Sequence, residues 1–452
     1  MTTLARWWSS PPARFLAYFT PAIVATSAVI LFATLGPLHP LSLVFFGGLF
    51  LAFVTLSLVR LPVLLFWLVP LSMVFFVSHW IEPNDVLLVM LAVVGLLATR
   101  VRWREVRLEP VEWRFLLFIA ALATTFFVPF VPRRLLYAVK LSTFGLLAFE
   151  VARFAARRYG RTAVAWGPAL FAAVTAAMIV QRGASMGVGA LMNNDLRGLT
   201  SELPWGRSNY VAAVLVLCLP AILFLVRSPV QDRLRRALAL VVLIASIGAI
   251  LLTTSRGGLL LSAAFLLGTG LRFRRGGWAA LLGVSLVLGI LLLTPLGQFL
   301  VERFTSSRGI SSAIARPLVW GWAFQRGVTH LPFGVGAGQG VIQPDRLGNA
   351  DPHDYYLTLF SEGGPLALAL WLWIMAALWQ KSRALSRRPG TEDAGDALRG
   401  TVALAGLNSL FEPTFPGGLY HTLFWWLAGT LYAADRTAAP PSTSSGDTST
   451  RP

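Results

Sequence analysis

The chain has 452 residues, of which 56% are hydrophobic and 13% charged, and its net charge is +18. An ordinary soluble protein cannot bury that much apolar surface, so this composition predicts a polytopic membrane protein. The single cysteine, Cys218, excludes an internal disulfide and makes a cysteine-based zinc site untenable.

Apolar runs long enough to cross a bilayer, about 20 residues each, recur along the whole chain. We identify 14 candidate runs and predict an all-α fold with 12–14 transmembrane helices, because the shortest runs are ambiguous. In chain order they cover 15–36, 41–59, 61–80, 85–99, 113–132, 135–152, 162–180, 209–226, 237–254, 257–271, 277–296, 356–379, 400–412 and 417–434.

This layout predicts three regions. Residues 1–14 form a cytoplasmic N-terminus, residues 15–436 the membrane domain, and residues 437–452, which are small and polar, a disordered cytoplasmic tail. The two long outer segments, 181–208 and 297–355, are expected to form one cavity, and the second is expected to contain short helices.

The basic residues are distributed unequally between the two sides of this layout. With the N-terminus inside, the cytoplasmic segments hold 26 of the 38 Lys and Arg residues and the outer segments hold 11, while Lys140 lies within a run. The positive-inside rule therefore predicts that both termini are cytoplasmic. Most of the net charge is then a topology signal, which argues against a nucleic-acid partner.

Of the 11 basic residues on the predicted outer side, three arginines are candidates for a functional site. They are Arg207 in WGRSNY, Arg256 in TTSRGG and Arg316 in ARPLVWGWAF. Arginine at a membrane edge is costly unless it reaches water or binds an anion, and the planar guanidinium group suits phosphate oxygens. Three such groups facing one cavity would form a metal-independent diphosphate site, whereas each one separately could also anchor the helix at the headgroups.

The segment DPHDYYLTLFSEGG, residues 351–364, combines a histidine with acids at the predicted outer start of a helix. A neutral imidazole at this position, that of His353, can accept a proton from a sugar hydroxyl. Asp354 either raises the basicity of this imidazole or faces solvent, and Tyr355 is a further supporting candidate. Glu362 falls on the opposite helix face, so we expect it to pair with a cation on another segment or to face the bundle interior.

Other polar patterns favour structural roles. The glycine-rich FGVGAGQG, 333–340, is a weak match to a phosphate loop without a surrounding parallel sheet, and we interpret it as a tightly turned segment that shapes the cavity. The outer loops contain no convincing carboxylate cluster, so we predict no metal and no cofactor. The remaining histidines are interpreted as structural: His39, His79, His330 and His421.

Four motifs occur in a fixed order between residues 255 and 370. They are SRGGLLLSAAFLL (255–267), RPLVWGWAF from Arg316, LPFGVGAGQG (331–340) and PHDYYLTLFSEGGPLALAL (352–370). In this order and spacing the chain resembles the O-antigen ligase/polymerase family. The resemblance implies a GT-C-like, metal-independent membrane glycosyltransferase, working at the outer face of the bacterial inner membrane with membrane lipids around it.

The resemblance also implies the substrates and the residue roles. The donor would be a glycan on undecaprenyl diphosphate, and the acceptor a hydroxyl of another glycan or of the lipid A core. His353 matches the family histidine that activates the acceptor, Arg256 and Arg316 match arginines that hold the diphosphate, and Arg207 matches a further outer arginine. The family often has asparagine after this histidine, where this chain has Asp354.

Two alternatives stay open. We favour an O-antigen polymerase over a ligase, because the outer loop is compact and the predicted span number is high. A protein of another class, a transporter or flippase for a lipid-linked sugar, would place charges near the bilayer midplane, where Lys140 and Glu150 are the candidates. The absence of an internal repeat in the sequence disfavours this class.

Overall fold

The computed structural model describes residues 63–73, 85, 87–89, 91–92, 109–124, 132–192, 208–272, 307–336, 341–343, 348–350, 352–412, 414–416 and 418–433. This part of the chain contains eleven helices and one short antiparallel β-hairpin. The elements in order are α1 (Val63–Ser72), α2 (Pro110–Thr124), α3 (Pro132–Tyr159), α4 (Arg161–Met192), α5 (Ser208–Arg227), α6 (Arg233–Thr253), α7 (Arg256–Arg272), α8 (Ser307–Thr329), β1 (Val341–Gln343), β2 (Gly348–Ala350), α9 (Tyr355–Arg387), α10 (Glu392–Ser409) and α11 (Gly418–Tyr432).

Four of the described helices are long and apolar enough to cross a membrane: Arg161–Ser185 within α4, and the helices α5, α6 and α9. They confirm the prediction of an all-α polytopic membrane protein. The predicted total of 12–14 spans stays a prediction, since the runs 15–36, 41–59 and 277–296 lie outside the described residues.

Two predicted outer segments differ from the structure in their secondary structure. Helix α4 continues to Met192, so the beginning of segment 181–208 is helical rather than a loop. Within segment 297–355 the described helix is α8, which at 23 residues is not short. The apolar run ends near residue 180, but the polar and glycine residues that follow it are not enough to end a helix.

Large aromatic side chains pack beneath the start of α9. Tyr355 stacks on Phe415 with ring centroids 5.2 Å apart and meets the edge of Trp371 at 5.3 Å. Trp371 in turn packs against Trp425 of α11, at 5.9 Å. All four rings are buried, so this part of α9 rests on a rigid apolar base.

Helices α5 and α7 begin side by side. The Cβ of an alanine at Gly258, in the first turn of α7, would come within 2.6 Å of the Cβ of Ala212 in α5, so only glycine allows this approach. Helix α9 begins next to the last turns of α10, where the Tyr356 hydroxyl donates to the Gly406 carbonyl at 2.9 Å. These contacts fix which helix ends lie together.

At the opposite end of the bundle, an arginine joins three carboxylates from two helices. Arg153 of α3 pairs with Glu112, with Glu109 at 3.0 Å and with Glu150 at 2.6 Å. The hydroxyl of Tyr432, at the end of α11, donates to Glu109 at 2.7 Å. We call this end the Arg153 end, and it ties α2, α3 and α11 together.

Candidate functional site

His353 lies on a short, well-anchored stretch of main chain just before α9. The indole N–H of Trp320, on α8, donates to the carbonyl of Pro352 at 2.8 Å. His353 has φ 52, in the left-handed region that non-glycine residues adopt rarely. Its side chain is 45% exposed, so the imidazole is open to a ligand from outside while its backbone is held on both sides.

Asp354 has a different position from the one expected. Its side chain is buried and caps α9, with Oδ1 accepting the N–H of Leu357 at 2.9 Å. Of the two alternatives given for Asp354, a solvent-facing carboxylate does not agree with this burial, because the first turn of a helix needs acceptors for its free N–H groups. A direct effect on the basicity of His353 stays a prediction. Burial raises the pKa of the Asp354 carboxyl, and the main-chain N–H bonds from Leu357 and Tyr356 oppose this.

The carboxylate that faces the imidazole belongs to Glu412. Its Oε2 lies 3.7 Å from Nδ1 of His353, and its Oε1 accepts the side-chain N–H of Asn209 at 2.5 Å. Sequence reasoning missed both partners. The usable signal was topological: Glu412 and Asn209 end and begin apolar runs on the same predicted side as His353.

The contact between Asn209 and Glu412 joins the start of α5 to the loop after α10. Helices α5, α7 and α9 therefore all begin at one end of the bundle, which we call the His353 end. Helix N-termini carry partial positive charge from their free N–H groups. This end thus combines a histidine, the partly buried carboxylate of Glu412 and three positive helix ends.

Arg256 lies at the His353 end because of a sharp reversal in TTSRGG. Thr254 has φ 52 and ends α6 in the left-handed conformation. The hydroxyl of Ser255 then accepts the N–H of Gly258 at 3.2 Å, which starts α7 with Arg256 as its first residue. The guanidinium group is therefore displayed at the first turn of a helix that begins beside α5.

Arg316 lies on the face of α8 that is turned toward α9. It precedes Trp320 by one turn, so the two side chains share a helix face. The indole of Trp320 bonds to the residue before His353, and Gly327, further along the same face, packs closely against α9. The structure thus brings Arg316 to the neighbourhood of His353 by way of a neighbouring helix.

The remaining candidates divide as follows. Arg207 lies outside the described residues. Tyr355 is buried in the aromatic base rather than open to the site. Glu362 lies near Arg326 of α8: burial lowers the pKa of this arginine and the charge of Glu362 opposes the shift. This agrees with the expectation that Glu362 meets a cation on another segment.

Helix α9 is broken just after Glu362. Gly364 has φ 71, and Pro365 has no N–H to donate, so the carbonyls of Ser361 and Glu362 lose their helical partners. The main-chain N–H groups of residues 335–336 donate to these carbonyls instead, each at 2.9 Å. The glycine-rich segment therefore completes the hydrogen bonding of a kinked helix.

Glycine is required on both sides of this contact. A Cβ at Gly334 would come within 2.7 Å of the main chain of α9, and one at Gly364 would overlap the carbonyl of Pro332. The described part of FGVGAGQG thus acts as a close-packed turn, in agreement with its interpretation from the sequence. It fixes the end of α8 against α9, and with it the arginine-bearing face of α8.

The two charges that kept a transport function open both form ion pairs. Lys140 pairs with Asp85 at 2.6 Å, and Glu150 with Arg153 at 2.6 Å. Charges inside a membrane protein are usually paired in this way, because an unpaired buried charge is costly. No observation on the described residues favours a transport pathway through them.

In a comparison with known protein families, residues 239–372 match the family model described as O-antigen ligase. The matched region includes Arg256, Arg316 and His353 and confirms the resemblance to the O-antigen ligase/polymerase family. No curated protein matches the chain.

Proposed function

We propose that the chain transfers a glycan from undecaprenyl diphosphate to a hydroxyl acceptor. Two findings support this: residues 239–372 match the O-antigen ligase family model, and the described helices include four that are long and apolar enough to cross a membrane. An enzyme of the O-antigen ligase/polymerase type is supported by the family match itself. The donor, the mechanism and the residue roles below are our proposal.

The observation that carries the mechanism is the pair formed by His353 and Glu412. The two side chains lie 3.7 Å apart, and the imidazole is still 45% exposed. A carboxylate behind a histidine fixes the orientation of the ring and stabilises the imidazolium that forms when the ring takes a proton. Nε2 of the same ring is then the atom that accepts the proton of the acceptor hydroxyl.

The arginines supply the other half of the reaction. Arg256 and Arg316, with Arg207, bind the diphosphate through charge-assisted hydrogen bonds. The acceptor oxygen forms a bond to C1 of the donor sugar while the bond from C1 to the diphosphate oxygen breaks. The proton goes to His353 and the negative charge to the departing diphosphate, where the guanidinium groups stabilise it without a metal. Attack from the face opposite the leaving group inverts the configuration at C1.

The acceptor defines the physiological reaction. We favour a polymerase, in which the acceptor is the end of a second lipid-linked repeat unit, for the reasons of loop size and span number given above. The alternative is a ligase, in which the acceptor is a sugar of the lipid A core. Reconstitution with a lipid-linked donor distinguishes them, since a polymerase gives a ladder of lipid-linked glycans and a ligase joins glycan to the core lipid.

We further propose that the site faces the outer side of the bacterial inner membrane and that both termini are cytoplasmic. The arginine distribution of the sequence supports this orientation. The His353 end would then be the outer end of the bundle.

The central test is the substitution His353→Ala in purified, reconstituted protein. We expect the transfer rate from a lipid-linked donor to fall by about 10²- to 10⁴-fold, the usual contribution of a positioned base. His330→Ala is the matched control, because His330 is an exposed histidine near the end of α8. Undiminished transfer by folded His353→Ala protein would remove His353 from the mechanism.

A further inference from the structure

From residue 316 to its end, the outward side of α8 is mostly apolar, although α8 belongs to a segment between predicted spans. Leu318, Phe324 and Val328 are exposed by 63%, 56% and 44%. Phe324 and Val328 are one turn apart, so they lie on the same face of the helix. Between residue 316 and the end of α8, the exposed polar side chains are those of Gln325 and Thr329, and neither of them is charged.

The two arginines in the part of α8 from residue 316 onward lie on its other side. Arg316 and Arg326 are only partly exposed, and Ala323, on the face of Arg316, is fully buried. A helix in water has the opposite pattern, with apolar residues toward the protein and charged residues outward. An exposed apolar face of this kind indicates contact with a partner or a membrane.

The apolar surface continues from α8 onto a candidate span. Leu331 and Phe333 are exposed by 55% and 42% on either side of Pro332, whose carbonyl approaches Gly364 in the kink of α9. Leu366 follows this kink and is 50% exposed. The outer helix and the membrane-crossing helix therefore share one apolar surface.

Further along α9 the same kind of surface extends over Leu372 and Trp373, which are each 47% exposed. These residues belong to a helix long and apolar enough to cross the bilayer, Tyr355–Arg387, so acyl chains are the expected environment of its exposed apolar side chains, although Arg114 covers part of the Trp373 ring. A face continuous with such a surface is covered by the same material.

We propose that α8 is an interfacial helix, whose apolar face lies against the acyl chains of the outer leaflet. Burial of this face stabilises the position by about 25 cal/mol for each Å² removed from water. The opposite face then holds Arg316 and Arg326 at the level of the lipid headgroups. The loop is thus part of the membrane-embedded protein surface and is not a lid extending into water.

The single native cysteine allows a direct test by spin labelling. Cys218 is fully buried and is replaced by alanine, and single cysteines are introduced as Leu318→Cys and Val328→Cys. The full-length protein is reconstituted into vesicles of phosphatidylethanolamine and phosphatidylglycerol. Collision of each nitroxide is measured with oxygen, which concentrates in lipid, and with a water-soluble nickel chelate.

Two exposed apolar positions provide matched controls. Ile244→Cys, at a position 61% exposed in the middle of α6, reports the lipid environment of a candidate span. Val230→Cys, at a position 82% exposed in the turn after α5, reports water. Because the wild-type side chains at all four positions are apolar and exposed, differences between the labels report the surroundings rather than the residue type.

We expect the ratio of oxygen to nickel collisions at positions 318 and 328 to be severalfold higher than at position 230 and close to that at position 244. A ratio equal to that at position 230 at both sites would place the face in water and overturn the proposal. Low collision with both reagents at both sites would also overturn it, because the face would then be covered by protein. The readout does not involve glycan transfer, so its result is independent of the proposed reaction.

Discussion

At the scale of single residues, the decisive feature is which acid accompanies His353. The neighbour in sequence, Asp354, is used as a helix cap, whereas Glu412, far along the chain, faces the imidazole. A residue at a helix start is close to free main-chain N–H groups. These groups compete with neighbouring side chains for its carboxylate, and here they bind it. Asn209 then holds the second oxygen of Glu412.

The pair formed by His353 and Glu412 predicts the effect of Glu412→Gln. The amide keeps the shape of the side chain but cannot stabilise a protonated imidazole, so we expect kcat to fall by about 10²-fold with little change in donor KM. Steady-state transfer assays on the reconstituted enzyme measure both constants. Glu392→Gln, in the exposed first turn of α10, is the control and should retain full activity. Equal rates in the two variants would contradict a catalytic function for the pair.

Asp354→Ala predicts a loss of both stability and activity. Removing the cap of α9 should lower the free energy of unfolding by about 1 kcal/mol, and transfer should fall because His353 loses its anchored main chain. Asp232→Ala removes a comparable cap, since Oδ1 of Asp232 accepts the N–H of Arg235 at 2.8 Å, and should cost stability alone. Thermal melting and transfer assays compare the two. A loss of transfer in Asp354→Ala that Asp232→Ala does not show would link the cap of α9 to the site. Equal transfer rates in the two variants would show that this cap contributes to stability only.

At the scale of elements, the break in α9 decides how α8 is held. The kink at Gly364 frees two carbonyls, and the main chain of residues 335–336 takes the place of the lost helical donors. Two glycine-containing motifs, which lie apart in the sequence, are thus complementary parts of one contact. That contact positions the face of α8 that carries Arg316.

Gly364→Ala tests this contact, with Gly390→Ala as its matched control. Both glycines have a left-handed φ, 71 and 79, but a Cβ at Gly390 meets nothing within 4 Å, whereas one at Gly364 overlaps Pro332. We expect Gly390→Ala to lower the free energy of unfolding by about 1 kcal/mol, because only the left-handed backbone conformation opposes the new Cβ. Gly364→Ala should cost clearly more in thermal melting and should also reduce transfer. Equal costs would show that α8 does not depend on this contact.

At the scale of the whole molecule, the two ends of the bundle have different tasks. The His353 end collects partly exposed polar groups, and the Arg153 end consists of ion pairs that tie helices together. A cluster of one arginine and three carboxylates is stable only while charges of both signs are present, because an unpaired buried charge destabilises the fold. This division predicts that stability and chemistry can be changed separately.

Arg153→Met should lower the free energy of unfolding by about 3–5 kcal/mol, since it leaves carboxylates without their partner. Arg157→Met should lower it much less, because the Arg157 side chain is 36% exposed and its ion pair with Glu109, at 2.9 Å, is partly in contact with solvent. Thermal melting in detergent gives the stabilities. The rate per folded Arg153→Met molecule should equal that of the wild type, and a reduced rate would show that the two ends are coupled.

The sequence by itself determined the class of protein, and it supplied most of the groups of the proposed site. Long apolar runs require helices in a bilayer, because no other segment satisfies its own main-chain hydrogen bonds there. Four ordered motifs indicated the family, and they contain His353, Arg256 and Arg316. Both kinds of signal are local, since they depend on composition and on spacing along the chain.

The tertiary structure alone decided the partner of the histidine and the environment of the outer helix. Glu412 and Asn209 are in contact although they lie 203 residues apart in the sequence, and no local pattern connects them. The apolar outward face of α8 became recognisable only when its protein-facing side was known. Pairing between distant segments and the direction of a helix face depend on how the helices pack, and a single sequence contains no direct record of that packing.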